Sequence, residues 1–309
     1  MPDLPSLVTE YMAFRAARGF QPNRKAERLL NQFVASLPPP TQGAPLFTRH
    51  QALAWAHAPA QRSPGWWSYR YSTVRQFALY LAGSGLPVEV PAVRQGPGGP
   101  RRATPYLYSD DDVQALMRAA AQLFTPLRAA TMQTLTGLLA VTGMRLGEAL
   151  GLTIGDLDLD DGTVLIAQAK FGRQRIVLLD PTSCRAITGY LHRPDRRSLS
   201  LAPERPVLTT RKGTAVPDSN AHGAFHLMTQ QAGLPVRAGA RPRPHDLRHT
   251  FATRAMIEAY RTGRDPARTL TLLSAWLGHS NPADTYWYLQ AAPEVAAIAA
   301  QRLEEGRDS

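Results

Sequence analysis

Apolar positions recur every three or four residues through the first part of the chain. Leu7, Tyr11 and Phe14 line one face of a helix predicted over residues 4–18, with Gly19 as its stop. A second helix, over 24–37, carries Leu29, Leu30, Phe33 and Val34 and ends at Pro38-Pro39-Pro40. Thr48 is placed to N-cap a third through Leu53, Trp55 and Ala56, and Trp67, Val74, Phe77, Ala78 and Leu81 give a fourth, over 64–82, its buried side. These four predict a small all-α domain. The periodicity then stops: Gly83-Ser84-Gly85, Pro87, Pro91 and Gly96-Pro97-Gly98-Gly99-Pro100 read as a linker rather than a packed segment. The pattern divides the chain into a first domain at 1–95, a linker at 96–104 and a second domain at 105–309.

In the second domain, Ser109 followed by Asp110-Asp111-Asp112 is a helix start, with carboxylates near the positive end of the helix dipole. A further helix over 127–141 is rich in Leu and Ala, and Thr142-Gly143 breaks it. Residues 156–161 are turn-rich. Thr163-Val164-Leu165-Ile166 and Arg175-Ile176-Val177-Leu178 are β-type runs flanking Lys170-Phe171-Gly172-Arg173, the pattern of a short hairpin. Helices return near 181–192 and 219–232, with basic loops at 193–197 and 237–243, and the remainder reads as helical to a last apolar segment at 293–303. The fold class is mainly α, with one small antiparallel β-hairpin sheet.

Composition narrows the picture. The hydrophobic share is 44% of 309 residues, and no apolar run approaches the ~20 residues that a membrane span needs. Met-Pro-Asp-Leu lacks the basic and apolar regions of a signal peptide. The lone Cys184 excludes an internal disulfide and a thiolate zinc site, and fits a reducing cytoplasm. A net charge of +11, carried mostly by arginine, favours a polyanionic partner, although a GC-rich genome gives a similar bias.

The densest chemistry lies between residues 244 and 288. Pro242 and Pro244 push a helix start to His245 or Asp246; His245 and Arg248, at i and i+3, then share one side, a spacing suited to two groups meeting one phosphate. A capping histidine plus a surface arginine fits equally well. Upstream, Arg145 sits at a helix start, where backbone N–H groups favour an anion, and Glu148 is spaced to orient it. In isolation the two also fit a solvated surface pair. Leu270, Leu273, Trp276 and Leu277 form an apolar helix face that Gly278 stops, just before His279. Tyr286 and Tyr288 fall two positions apart on the next short helix, about 200° around it, so only one can face a given site.

Taken together, Arg145, Lys170, His245, Arg248, His279 and Tyr288 resemble the catalytic set of the tyrosine recombinase (phage integrase) family. Thr142-Gly143-Met144-Arg145-Leu146-Gly147-Glu148 is similar to the first-arginine motif, and Lys170-Phe171-Gly172-Arg173-Gln174-Arg175 to the hairpin-lysine motif. His245-Asp246-Leu247-Arg248-His249-Thr250 is similar to the second-arginine motif, and Leu277-Gly278-His279-Ser280 to the nucleophile motif, whose tyrosine spacing selects Tyr288 over Tyr286. Phe171 and the neighbouring arginines depart from the small residues and lysines frequent in relatives.

The resemblance implies a helical core-binding domain ahead of the catalytic one and a C-terminal exchange helix at 293–303. It implies DNA strand exchange through a 3′-phosphotyrosine, double-stranded DNA as partner, and a tetramer in the synapse. It implies that no metal, ATP or other cofactor is required. It gives Tyr288 as nucleophile, Arg145 and Arg248 as phosphate grips, His245 and His279 as phosphate and proton-transfer partners, Lys170 as general acid, and Glu148 as an orienting group. Three other readings compete with it. His245 and His249, at i and i+4, suggest a zinc hydrolase, but Asp246 stands where glutamate is expected and no third ligand follows. A DNA-binding regulator on a decayed fold would lose members of the set, and all six are present. A topoisomerase-like enzyme would use the same chemistry.

Overall fold

The computed structural model describes residues 3–20, 22–39, 41, 43–58, 64–93, 104–167, 174–196 and 199–278. The chain divides into two compact units, Met1–Arg102 and Ala103–Ser309.

The first unit is built from α1 (Leu4–Ala17), α2 (Arg24–Ala35), α3 (Arg49–His57) and α4 (Pro64–Gly83). Side chains at the starts of three helices explain where they begin: Asp3, Asn23 and Thr48 each accept a backbone N–H in the first turn, and Gln51 accepts in return from Thr48 N at 2.7 Å. Val8, Tyr11, Leu30, Phe33, Phe47, Val74, Phe77 and Leu81 form the core. Two expectations fail here. Phe14 is exposed and lies against Tyr80, 5.1 Å between ring centroids, because α1 turns only its Leu7, Val8 and Tyr11 inward. Trp67, expected on the buried side of α4, is only half-buried and lies outside this core, its ring meeting His57 edge to face at 5.3 Å.

The stretch after α4 is not a free linker from its start. Leu86, Val88 and Val90 pack on the first unit's core, and Leu46 N donates to Pro87 O (2.7 Å) while Glu89 N donates to Phe47 O (3.2 Å). Alternate apolar residues between prolines give an extended strip with one sticky side, which turn-residue composition alone conceals.

The second unit is mainly α, carried by α5 (Asp110–Leu123), α6 (Pro126–Thr142), α7 (Leu146–Gly151), α8 (Pro181–Leu191), α9 (Asp218–Gln231), α10 (Pro244–Arg261) and α11 (Pro266–Leu277). α6 is the central element: Leu127, Ala130, Met132, Leu135, Leu138 and Leu139 are all buried, and α5, α8 and α10 pack around it. Ser109 and Asp112 close a reciprocal capping box on α5, as the Ser-Asp-Asp-Asp pattern predicts.

Between α7 and α8 lies an antiparallel sheet of β1 (Leu157–Asp158), β2 (Thr163–Ile166) and β3 (Arg175–Leu178), in that order. β2 and β3 are the predicted hairpin, with Val164 opposite Val177 and Ile166 opposite Arg175. Val164, Ile166 and Val177 point into the core, while Ile176 and Leu178 are exposed. β1 adds a third strand inside the turn-rich 156–161 segment. It is two residues long and is followed at once by an Asp158–Asp161 turn, so its polar sequence gives no strand signal.

Candidate active site

Five chain segments meet at the site: the break after α6, the start of α7, the start of β3, the first turns of α10 and the end of α11. Thr142 closes α6 and Gly143 follows at φ 63°, in the left-handed region. A Cβ at Gly143 would stand 2.6 Å from Phe251 Cδ1, so the left-handed turn and the close approach of α10 both require glycine there. This turn delivers Arg145 to the N-cap position of α7.

Arg145 is not half of a solvated pair. Glu148 is 5% exposed and accepts from Arg145 N at 2.8 Å and from Arg145 Nη1 at 2.8 Å. The backbone N–H that sequence reasoning offered to an anion is therefore taken by Glu148. The third bond of Arg145 runs from Nη2 to Gly278 O at 3.3 Å. Burial by itself would raise the pKa of Glu148, but hydrogen bonds from Arg175 and Arg145 outweigh it and hold the carboxyl at about 2.

α10 starts one residue earlier than predicted, at Pro244, with Arg243 as its N-cap. Asp246 is fully buried and is engaged by Arg243 through Nε (3.0 Å) and Nη2 (2.7 Å), so its carboxylate is committed to closing the helix start. His245 and Arg248 do not present themselves alike. Arg248 is 1% exposed and donates to Gly143 O (2.8 Å) and Leu277 O (2.7 Å), whereas His245 is exposed. The rings of His245 and His249 meet edge to face at 4.8 Å. The pKa of His245 lies below its ordinary 6.5, first through desolvation by the surrounding protein, then through the charges of Arg248, Arg243 and Arg145, with Asp246 opposing. Among the described residues no group of three or more His, Cys, Asp or Glu side chains stands where it could hold a metal.

α11 ends as its sequence predicts, at Leu277, with Gly278 left-handed at φ 65°. The last carbonyls of a helix lack intrahelical partners and carry the negative end of its dipole, so cations gather there. Arg175 Nε donates to Trp276 O at 2.8 Å, Arg248 to Leu277 O and Arg145 to Gly278 O. Trp276 Nε1 in turn donates to Thr142 O at 2.8 Å, tying the ends of α11 and α6 together.

Of the residues expected from sequence, Arg145, Glu148 and Arg248 thus come together around the end of α11, and His245, on the first turn of α10, lies within reach of the charges of Arg248 and Arg145. Lys170, His279, Tyr286, Tyr288 and the segment 293–303 lie outside the described residues. Sequence reasoning missed Arg175 and Trp276. A signal existed for Arg175: it shares a strand face with the buried Val177, and an inward-facing arginine must have partners.

Comparison with known proteins finds relatives in both sequence and fold. A sequence model of the phage integrase family matches residues 107–294. The putative integrase/recombinase y4rB of Sinorhizobium fredii is 37% identical over 303 residues, covering 96% of both chains. Tyrosine recombinase XerD of Bifidobacterium longum is 28% identical over 233 residues, covering 73% of this chain and 71% of its own. Among solved structures, the Tn1549 transposon integrase in complex with transposon right end DNA superposes with a TM-score of 0.67 at 16% identity, over 98% of this chain and 100% of that one. A lambda integrase dimer bound to a COC′ core site gives 0.63 at 16% identity, over 90% and 96%. At these identities the structural matches establish the fold.

Proposed function

The chain belongs to the phage integrase family of tyrosine recombinases, which cleave and rejoin DNA strands, and we propose that it does so with Arg145, Lys170, His245, Arg248, His279 and Tyr288 at a specific site in double-stranded DNA. The phenol oxygen of Tyr288 attacks the scissile phosphorus, the bond from phosphorus to the 5′-oxygen breaks, and a 3′-phosphotyrosine ester forms. Lys170 supplies the proton to the departing 5′-oxygen. A 5′-hydroxyl from the partner strand then reverses the step. The 3′-phosphotyrosine ester conserves the energy of the phosphodiester bond it replaces, so the exchange balances without metal or ATP.

A phenol titrates near 10, so Tyr288 needs a cationic field to attack at neutral pH. Arg145 and Arg248 supply that field and hold the non-bridging oxygens as charge builds in the phosphorane. His279 adds a hydrogen bond to the phosphate. His245, whose pKa is lowered by desolvation and the neighbouring arginines, is shifted toward its neutral form, the form able to take a proton. Glu148 orients Arg145. The observation that supports this reading best is the convergence of Arg145 and Arg248 on the last carbonyls of α11, immediately before His279.

In the first unit, Arg24, Lys25 and Arg28 are exposed together on α2, a charge pattern suited to DNA phosphates and to a core-binding role. The assembly we propose is a tetramer in the synapse, with residues 293–303 as an exchange helix between copies, acting in integration or excision of a mobile element in the cytoplasm. Covalent trapping tests the chemistry. On nicked suicide substrates made from its own flanking DNA, the protein should form a 3′-linked adduct that Tyr288→Phe abolishes and Tyr286→Phe keeps. The reverse pattern would move the nucleophile to Tyr286.

A further inference from the structure

We propose that Arg175 is a positioning residue for strand cleavage: through Glu148 it fixes Arg145 against the end of α11. The inference rests on the recombination reading above and assigns a role to a side chain outside the six-residue set.

Arg175 enters from the start of β3, opposite Ile166, with its side chain 10% exposed. Each of its three nitrogens has a defined acceptor. Nε donates to Trp276 O at 2.8 Å, Nη1 to Glu148 Oε1 at 3.0 Å and Nη2 to Glu148 Oε2 at 2.7 Å. The paired Nη bonds are the fork geometry in which guanidinium and carboxylate fix each other's plane, and a lysine ammonium cannot reproduce it. Glu148, locked in that plane, directs its oxygens to Arg145 N and Arg145 Nη1. Arg145 keeps the larger exposure, at 30%, and so remains the member able to meet a phosphate.

The same guanidinium joins three elements. It belongs to the hairpin strand that follows Lys170, it anchors the first turn of α7, and it holds the end of α11 one turn before His279. Glycine at 278 is part of the arrangement, because a Cβ there would stand 3.0 Å from Arg175 Nη1. Losing Arg175 would leave Glu148 held by Arg145 alone and Trp276 O without its donor, so the Arg145–Glu148 pair would lose its tie to the end of α11 and to the segment bearing the nucleophile. Misplacement of a catalytic group by an ångström is costly in rate even where binding is intact.

The test uses the full chain on suicide substrates, with Arg175→Lys, Arg175→Gln, Glu148→Gln and the doubles of Glu148→Gln with each. We expect Arg175→Lys to melt cooperatively and to bind its DNA within about threefold of wild type, while single-turnover cleavage falls about 100-fold. The Arg175→Lys and Glu148→Gln losses should not multiply, because both act through one link to Arg145. A substrate with sulfur at the 5′-bridging position needs no proton on its leaving group; it should rescue Lys170→Ala and leave Arg175→Lys slow. Wild-type cleavage by a folded Arg175→Lys, multiplying losses, or rescue of Arg175→Lys by the sulfur substrate would each overturn the assignment. Should Arg175→Lys not fold, the same comparisons apply to Arg175→Gln and its double with Glu148→Gln. A wild-type protein that forms no Tyr288 adduct would remove the recombination reading itself, and this inference with it.

Discussion

An arginine that is 1% exposed is tolerable only where its guanidinium N–H groups meet acceptors, and Arg248 meets them at Gly143 O and Leu277 O. Those carbonyls belong to the ends of two helices, so the same bonds that offset burial of the charge also hold α6 and α11 at a fixed separation. His245 shows the opposite solution, a group whose charged form its surroundings disfavour. Desolvation and the cations of Arg248, Arg243 and Arg145 lower its pKa from 6.5, so in the window just below pH 6.5 the folded chain binds fewer protons there than the unfolded chain. The stability this contributes is present above pH 6.5 and is lost as pH falls through that window. We expect the DNA-free protein to lose more thermal stability between pH 7.5 and pH 5 than His245→Gln does, measured by melting both across the range. Parallel curves would mean that His245 titrates as it does in the unfolded chain.

Among elements, the break after α6 matters most for the site. Gly143→Ala places a Cβ on a left-handed residue 2.6 Å from Phe251 Cδ1 and 3.1 Å from Leu277 Cδ2. We expect a loss of about 2 kcal/mol, seen as a melting temperature lower by several degrees. Gly147→Ala, on α7 with open space around its Cβ, should be neutral or stabilising by up to about 1 kcal/mol. Equal effects would mean that backbone strain and the Phe251 contact contribute nothing at Gly143. Much at this scale was legible in the sequence, since helix starts announce themselves through short polar side chains such as Thr48 and Ser109, and the β2–β3 hairpin through its alternation. The order Arg145, Glu148, His245, Arg248 was legible because each sits in a local motif. The extended strip at Leu86–Val90, the two-residue β1 and the Arg175 fork were not: each depends on a partner distant in sequence, such as Phe47 for Glu89 or Trp276 for Arg175. Local periodicity has no access to such pairings.

At the scale of the whole molecule, the two units carry separate hydrophobic cores, one running through Phe33 and Phe77, the other through Leu135 and Phe225. Every described member of the arginine network, from Arg145 and Glu148 to Arg175 and Arg248, lies in the second. A fragment spanning residues 104–309 should therefore fold alone and keep its network, while lacking the exposed cations of α2. Each cation that neutralises a phosphate releases a counterion, so without those cations DNA affinity should fall and depend less steeply on salt than that of the full chain. Once DNA is saturating, single-turnover cleavage on a suicide substrate should stay within about tenfold of the full chain, because the groups that act on the phosphate are unchanged. Binding titrations at several salt concentrations, followed by cleavage at saturation, separate the two effects. A fragment that melts normally and saturates its DNA but cleaves far more slowly would show that the first unit shapes the chemistry as well as the affinity.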